Sequence, residues 1–470
     1  MPPTLALLIW LILLLALLVF DPAREPGISP AVWVAVIWMF IAGSRLPSQW
    51  LSGAEQERSA AEVIESGNSI DRNIFIVLIL LAIGILISRS FKWGSFFSRN
   101  VALLALLSFA LLSVCWSDFP FVALKRWFRD LGNYLVILVV LSDPHPLEAV
   151  RTLFRRLGYL LIPLSVVLIK YFPEIGRQYS YWTGAAMYVG ATLSKNSLGA
   201  VCLVSGLFFF WDLVTRWPDR GRRRTKQIIV LNLAFLAMTL WLLERSDSAT
   251  SRVCLALGIL VILAARTRLV KRQPAFLTTL IPAAFCLYLI LAVGFNINGQ
   301  LAAAVGRDPT LTTRTGIWSF LLSMHTNAFV GTGYESFWLG SRLELIWEKS
   351  GFGGINEAHN GYLEMYLNLG LIGLFLLSAF LIASFRTICR RLKPFSSFAS
   401  LSLALWTVTL FYNVTEAAFK AHLMWLTFLI AALAVPGRAQ DHATSISEFE
   451  IAGTRAIFQD LPLETKRLEG

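Results

Sequence analysis

Thirteen apolar runs punctuate the 470-residue chain, near residues 4–20, 31–46, 74–88, 101–116, 131–142, 157–170, 198–213, 228–243, 253–265, 275–295, 361–384, 398–413 and 421–436. A bilayer-crossing helix needs roughly 20 apolar residues, so the shorter runs must extend into flanking Trp, Ser and Arg. The pattern predicts an all-α fold, a polytopic membrane helical bundle of about 12–13 transmembrane helices. Basic residues set its orientation. One short loop carries Arg216, Arg220, Arg222, Arg223, Arg224 and Lys226, a second Arg266, Arg268, Lys271 and Arg272, and a third Arg386, Arg390, Arg391 and Lys393. The excess of Lys and Arg in cytoplasmic loops places all three inside. The long 296–358 loop, with four basic and five acidic residues, then lies outside. The chain is expected to divide into helices over 1–295, this loop, helices over 359–436 and a mixed-charge cytoplasmic tail over 437–470. Run 131–142 resists the scheme. Lys125, Arg126 and Arg129 precede it and Arg151, Arg155 and Arg156 follow, so both groups cannot be cytoplasmic if it spans. Either it is re-entrant, or one group stays outside for a functional reason.

Composition supports the membrane class: 56% of residues are hydrophobic, mean hydropathy is +0.64 and only 15% are charged. A net charge of +12 raises nucleic acid as a partner. The basic residues cluster in short loops between apolar runs, however, and that distribution excludes it. Cys115, Cys202, Cys254, Cys286 and Cys389 lie far apart with no C-x-x-C, so they read as packing residues. The N-terminus lacks a basic n-region and reads as a retained span. There is no Asp-x-Asp, P-loop or H-E-x-x-H signature, so no metal or nucleotide cofactor is expected.

Polar residues concentrate where run 361–384 begins, in Glu357-Ala-His-Asn-Gly-Tyr-Leu-Glu-Met-Tyr-Leu-Asn-Leu-Gly-Leu-Ile-Gly373. Helical spacing puts His359, Tyr362, Tyr366 and Gly370 on one face and Asn360, Glu364 and Asn368 on another. The closing Gly-x-x-Gly suits the close approach of a neighbouring helix. Interfacial anchoring by tyrosine is the bland alternative. In the loop, Arg307 and Arg314 flank threonines and a proline, a set that can present guanidinium forks and hydroxyls to a phosphate. Gly331-Thr-Gly-Tyr-Glu-Ser-Phe-Trp338 follows, a flexible turn leading to aromatics that suit a sugar or an acyl chain. Three further polar knots fall at 244–252 (Arg245, Arg252), 192–199 (Lys195) and 116–126 (Arg126). Charges kept near an outer surface against the positive-inside bias usually meet an anionic partner or line a cavity. Snorkelling and helix capping are the bland alternatives.

In their order along the chain, these motifs resemble the O-antigen ligase and polysaccharide polymerase family of bacterial inner membranes. The matching pieces are 359–364 with Gly370 and Gly373, 306–318, 331–338, 194–199 and 116–120. The Leu-Thr-x-Arg-Thr form at 311–315 most resembles the exopolysaccharide-production branch. The resemblance implies a metal-independent, inverting glycosyltransferase of the inner membrane, its long loop and active site periplasmic. Its donor would be an undecaprenyl-pyrophosphate-linked saccharide. Its acceptor would be another such unit (polymerase) or lipid A-core (ligase), and polysaccharide export or chain-length proteins are possible partners. His359 would be the general base or acceptor-orienting group. Arg314 would bind the pyrophosphate leaving group with Arg252, or with Arg245 in its place. Arg126, Lys195 and Arg307 join them as anion-binding candidates, and Asn360, Tyr362 and Glu364 as substrate-binding ones. Two rivals remain open: a transporter or flippase for lipid-linked sugars, and a membrane scaffold.

Overall fold

The structure, a computed structural model, describes residues 1–25, 27–51, 67–179, 184–273, 275–294, 314–349, 354–392, 397–420 and 422–435. Its longer helices are α1 (Pro3–Phe20), α2 (Val32–Gly43), α3 (Ser69–Ser88), α4 (Trp93–Arg99), α5 (Val101–Leu112), α6 (Pro120–Leu141), α7 (Pro146–Tyr171), α8 (Lys195–Arg216), α9 (Arg223–Ser246) and α10 (Ala249–Ala265). They continue with α11 (Ala275–Gly294), α12 (Arg314–Ser323), α13 (Gly340–Lys349), α14 (Gly361–Leu392), α15 (Ser397–Thr415) and α16 (Leu423–Ala432). A hairpin of β1 (Arg177–Tyr179) and β2 (Ala186–Tyr188), paired antiparallel, is the one sheet among the described residues. Each apolar run contains a helix among the described residues. Among the described residues eight helices can cross a membrane by length and composition, or nine if α4 and the helical stretch after it, bent by 92°, form one span. The protein is an all-α polytopic bundle.

Burial sorts these helices into an inner and an outer layer. The apolar windows of α8 and α15 are 78% and 83% buried, whereas those of α1 and α11 are 11% buried. The outer helices are apolar all round and bury little, as helices facing lipid do. Polar starts follow local chemistry: Asn68, Ser194 and Ser248 each cap a helix by accepting a backbone N–H with the side chain.

Run 131–142 is not a separate re-entrant piece. It is the buried second half of α6, and Lys125, Arg126 and Arg129 sit on that helix's first half. Arg151, Arg155 and Arg156 likewise lie on the first half of α7. The two basic groups are therefore at opposite ends of the bundle. Arg126 meets the loop before α13, and Arg155 meets Asp212 near the end of α8.

Two differences around α14 position the site. The helix begins at Gly361, so His359 lies ahead of it in a left-handed conformation (φ 48°) and shares no helix face with Tyr362. Gly370 (φ 63°, ψ −163°) then breaks the helix, in a backbone region essentially reserved for glycine. A break orphans backbone groups, and the 328–333 loop satisfies them. Leu371 and Ile372 N–H donate to the Ala328 and Phe329 carbonyls at 2.8 and 3.1 Å. Thr332 and Gly333 N–H donate to the Leu367 and Asn368 carbonyls at 3.1 and 2.9 Å. A Cβ on Gly370 would lie 2.3 Å from the Phe329 carbonyl, so the glycine admits this crossing loop and not, as its spacing suggested, a neighbouring helix. Residues 314–349 and 354–358 pack with Leu367 of α14 on a second, small core that includes Ile317, Leu321, Phe337, Trp338, Leu343 and Ile346.

Candidate active site

The start of α14 is held from three directions. The Asn360 side chain caps the helix, its Oδ1 accepting from Tyr362 and Leu363 N–H at 3.0 and 3.1 Å. Gly361 N–H donates to the Glu416 carbonyl at 2.9 Å. The approach is tight enough that a Cβ at Gly361 would lie 2.1 Å from Asn413 Oδ1. This seats His359 against the turn between α15 and α16, which carries Glu416 and Lys420.

Six charged side chains then alternate in sign. Arg314 Nη2 lies 2.8 Å from Glu416 Oε1, and its Nη1 donates to the Thr415 carbonyl. The other Glu416 oxygen is 3.7 Å from His359 Nδ1. Glu357 Oε1 is 2.9 Å from the same nitrogen, at ion-pair distance but without hydrogen-bond alignment. Glu357 Oε2 is 3.6 Å from Lys420 Nζ, which stands 3.7 Å from Glu364 Oε1. Trp338 Nε1 and Ala358 N–H complete the chain by donating to the two Glu364 oxygens at 2.7 and 3.0 Å. His359, Glu357 and Lys420 keep 25–29% of their side chains exposed and Glu416 and Glu364 only 7%, so the first three form the accessible edge.

This alternation decides protonation. Burial disfavours the imidazolium, but the Glu357 and Glu416 carboxylates more than offset it and hold the His359 pKa up at about 9. Burial likewise opposes ionised Glu357, yet His359 and Lys420 bring it down to about 2. Lys420 is held above the ordinary lysine range, because the Glu364, Glu357 and Glu335 carboxylates outweigh its desolvation. At neutral pH the cluster is a self-neutralised chain with the proton on His359.

Glu357, His359 and Glu416 also offer one ligand atom each, all within 4.8 Å of one another, a set that can hold a cation. Formal charge argues for the proton. With Arg314 and Lys420 present, three cationic and three anionic groups cancel, whereas a dication replacing the proton leaves the cluster net positive.

The remaining candidates separate into three groups. Arg126 Nη1 donates to the Glu335 carbonyl at 2.6 Å, and Glu335 is itself left-handed (φ 50°). Arg126 thus braces the loop whose carboxylate adds to the field at Lys420. Arg252, Arg245 and Lys195 gather one link away. Arg252 Nη2 is 2.7 Å from Asp247 Oδ1, Lys195 Nζ is 3.8 Å from Asp247 Oδ2, and Arg245 stacks over Trp241 and Tyr188. A Thr250–Thr415 hydroxyl contact of 2.8 Å joins this knot to the residue whose carbonyl holds Arg314. Tyr362 donates its hydroxyl to the Leu410 carbonyl at 3.1 Å, so with Asn360 and Glu364 it serves the scaffold. Arg307 lies outside the described residues.

Glu416 and Lys420 are the members that sequence reasoning missed, along with the direct roles of Glu357 and Trp338. Glu416 and Lys420 had one legible signal: they are the charged residues in the short turn between two apolar runs.

Residues 232–378 match the family model described as O-antigen ligase. That stretch contains Arg252, Arg314 and His359, while Glu416 and Lys420 lie beyond it. The chain is also similar to the exopolysaccharide production protein ExoQ of Rhizobium meliloti, with 28% identity over 292 residues. The match covers 59% of this chain and spans 62% of that relative's length.

Proposed function

We propose that the protein is a membrane glycosyltransferase of the inner membrane. It moves a saccharide from undecaprenyl pyrophosphate to an acceptor hydroxyl at the periplasmic face, polymerising repeat units. The observation that carries this reading is the alternating charge chain, Arg314–Glu416–His359–Glu357–Lys420–Glu364, at one end of a helical bundle. A diphosphate arriving beside Arg314 competes with Glu416 for the guanidinium fork, whose two-pronged geometry matches phosphate oxygens. His359 Nδ1 is turned on carboxylates, which leaves Nε2 for the acceptor, as in hydrolytic triads. The acceptor oxygen attacks the anomeric carbon, its proton passes to neutral His359, and the bond to the diphosphate breaks with inversion. Arg314 neutralises the departing charge. Because the resting histidine is protonated, only its deprotonated fraction is competent. No step calls on a metal or nucleotide.

A ligase acting on lipid A-core is the second reading, favoured by the description of the matching family. The name of the exopolysaccharide relative favours the polymerase. The test is reconstitution in liposomes with a lipid-linked saccharide already on the accessible face. Wild-type protein makes longer glycans without ATP or a gradient, and His359→Ala makes none while still inserting and accumulating. Normal elongation by that variant removes His359 from the mechanism. Movement of the donor without elongation makes the protein a transporter. In a deletion strain, single repeat units on lipid A indicate a lost polymerase and unattached long chains a lost ligase.

A further inference from the structure

At the bundle end opposite this site, a second charged knot is buried between α7, α8 and α9. Asp212 on α8, fully buried, receives three guanidiniums. Arg155 Nη2 lies 2.7 Å from Oδ2, Arg216 Nε 3.0 Å from Oδ1, and Arg151 Nε 3.5 Å from Oδ1. Asn232 Nδ2 on α9 donates to Oδ2 at 2.9 Å. Arg156 stacks on Trp33 at 4.4 Å beside them, and the Arg24 and Asp21 charges also act on it. With Glu148 bound to Arg151 and the Asp21 charge acting on Arg156, four guanidiniums meet three carboxylates, an excess of positive charge in an apolar setting.

The donors are also in excess. Arg155 Nε, Arg156 Nη1 and Arg216 Nη2 are buried N–H groups without a hydrogen-bond partner among the described residues. The Arg155 side chain is only 2% exposed. Arginines kept this deep are expensive and normally meet an anion. The missing components are negative charge and acceptor oxygens together, which is what a phosphate group brings.

We infer that this knot binds the phosphate of an anionic phospholipid headgroup, at the bundle end where the Arg216–Lys226 loop emerges. Arg216 and Arg151, 16% and 12% exposed, form its entrance, and Arg155 and Asp212 form its floor. Phospholipid is preferred over free phosphate because the knot lies at the ends of spanning helices, where headgroups gather and basic interhelical pockets take them. Asp212 gathers the arginines by offsetting their mutual repulsion.

The test uses the full-length protein in neutral detergent, stripped of lipid. Phosphatidylglycerol, phosphatidylcholine or inorganic phosphate is then added, with bound lipid counted by native mass spectrometry and unfolding temperature followed. One phosphatidylglycerol per chain is expected, with a raised unfolding temperature and no such response to phosphatidylcholine. Arg216→Gln weakens retention about fivefold, the share of one interfacial arginine, and leaves glycan transfer intact. Arg151→Gln repeats the measurement should Arg216→Gln fold poorly, and Arg220→Gln, exposed outside the knot, retains lipid normally. Equal retention of phosphatidylcholine, or unchanged retention in both knot variants, overturns the inference. An equal response to inorganic phosphate overturns the phospholipid assignment.

Discussion

Glu357→Gln isolates the feature on which the mechanism turns, the proton held on His359. Glu357 Oε1 sits 2.9 Å from His359 Nδ1, whereas the nearer oxygen of Glu416 is 3.7 Å away. With the His359 pKa at about 9, the imidazole is neutral in only about one molecule in a hundred at pH 7, tenfold for each unit of separation. If neutral His359 takes the acceptor proton, the wild-type rate rises about tenfold per pH unit from pH 7 and levels near pH 9. A carboxylate at this distance shifts its partner by about 1–3 units, so removing it moves the break down by that amount. The variant therefore gains on wild type at pH 6–7. It falls below it on the alkaline plateau, where the imidazole has lost the group that orients it. The assay is the initial rate of glycan elongation by reconstituted protein at saturating donor, from pH 6 to 10. A wild-type profile flat across pH 7–9, or a variant breaking at the wild-type pH, would refute His359 as the titrating base.

Other outcomes follow from the same geometry. Arg314→Lys keeps more elongation activity than Arg314→Ala, though both fall well below wild type, because a lysine supplies the charge without the fork. Equal activity in all three marks Arg314 as dispensable. Gly370→Ala forces a glycine-only backbone conformation and a Cβ 2.3 Å from the Phe329 carbonyl. Its strain of about 1–3 kcal/mol lowers the unfolding temperature and loosens the 328–333 loop, measured by thermal melting and limited proteolysis. The His359 pairing raises that pKa above its ordinary 6.5, so its contribution to stability is fully present below pH 6.5 and is lost as pH rises through about 9. Glu357, held down at about 2, contributes above pH 4.5 and loses that contribution as pH falls through about 2. Melting temperatures across pH 5–10 show the alkaline loss in wild type and a smaller one in Glu357→Gln. Chelator leaves elongation unchanged if the proton, and not a cation, occupies the Glu357–His359–Glu416 position.

The sequence by itself determined the class of fold and the neighbourhood of the chemistry. Apolar runs in a membrane leave the backbone no partner but itself, so the thirteen had to build helices. Polar residues at the mouth of the 361–384 run had to sit at a helix end, which put His359 among the candidates, and the arginine pair of the long loop added Arg314. Tertiary structure alone decided what those residues face. Glu416 and Lys420 are 57 and 61 positions from His359 (416 − 359 and 420 − 359), and no local spacing encodes their approach across a turn between two other helices. Asn360 and Tyr362, polar and adjacent to the histidine, look like ligands in one dimension but are spent on a helix cap and the Leu410 carbonyl. The break at Gly370 was equally hidden, since a glycine that admits a crossing loop and one that admits a helix read alike until the loop is in place. Protonation was the last to be fixed. A histidine's charge depends on carboxylates within a few ångströms, and only the folded chain puts two of them there.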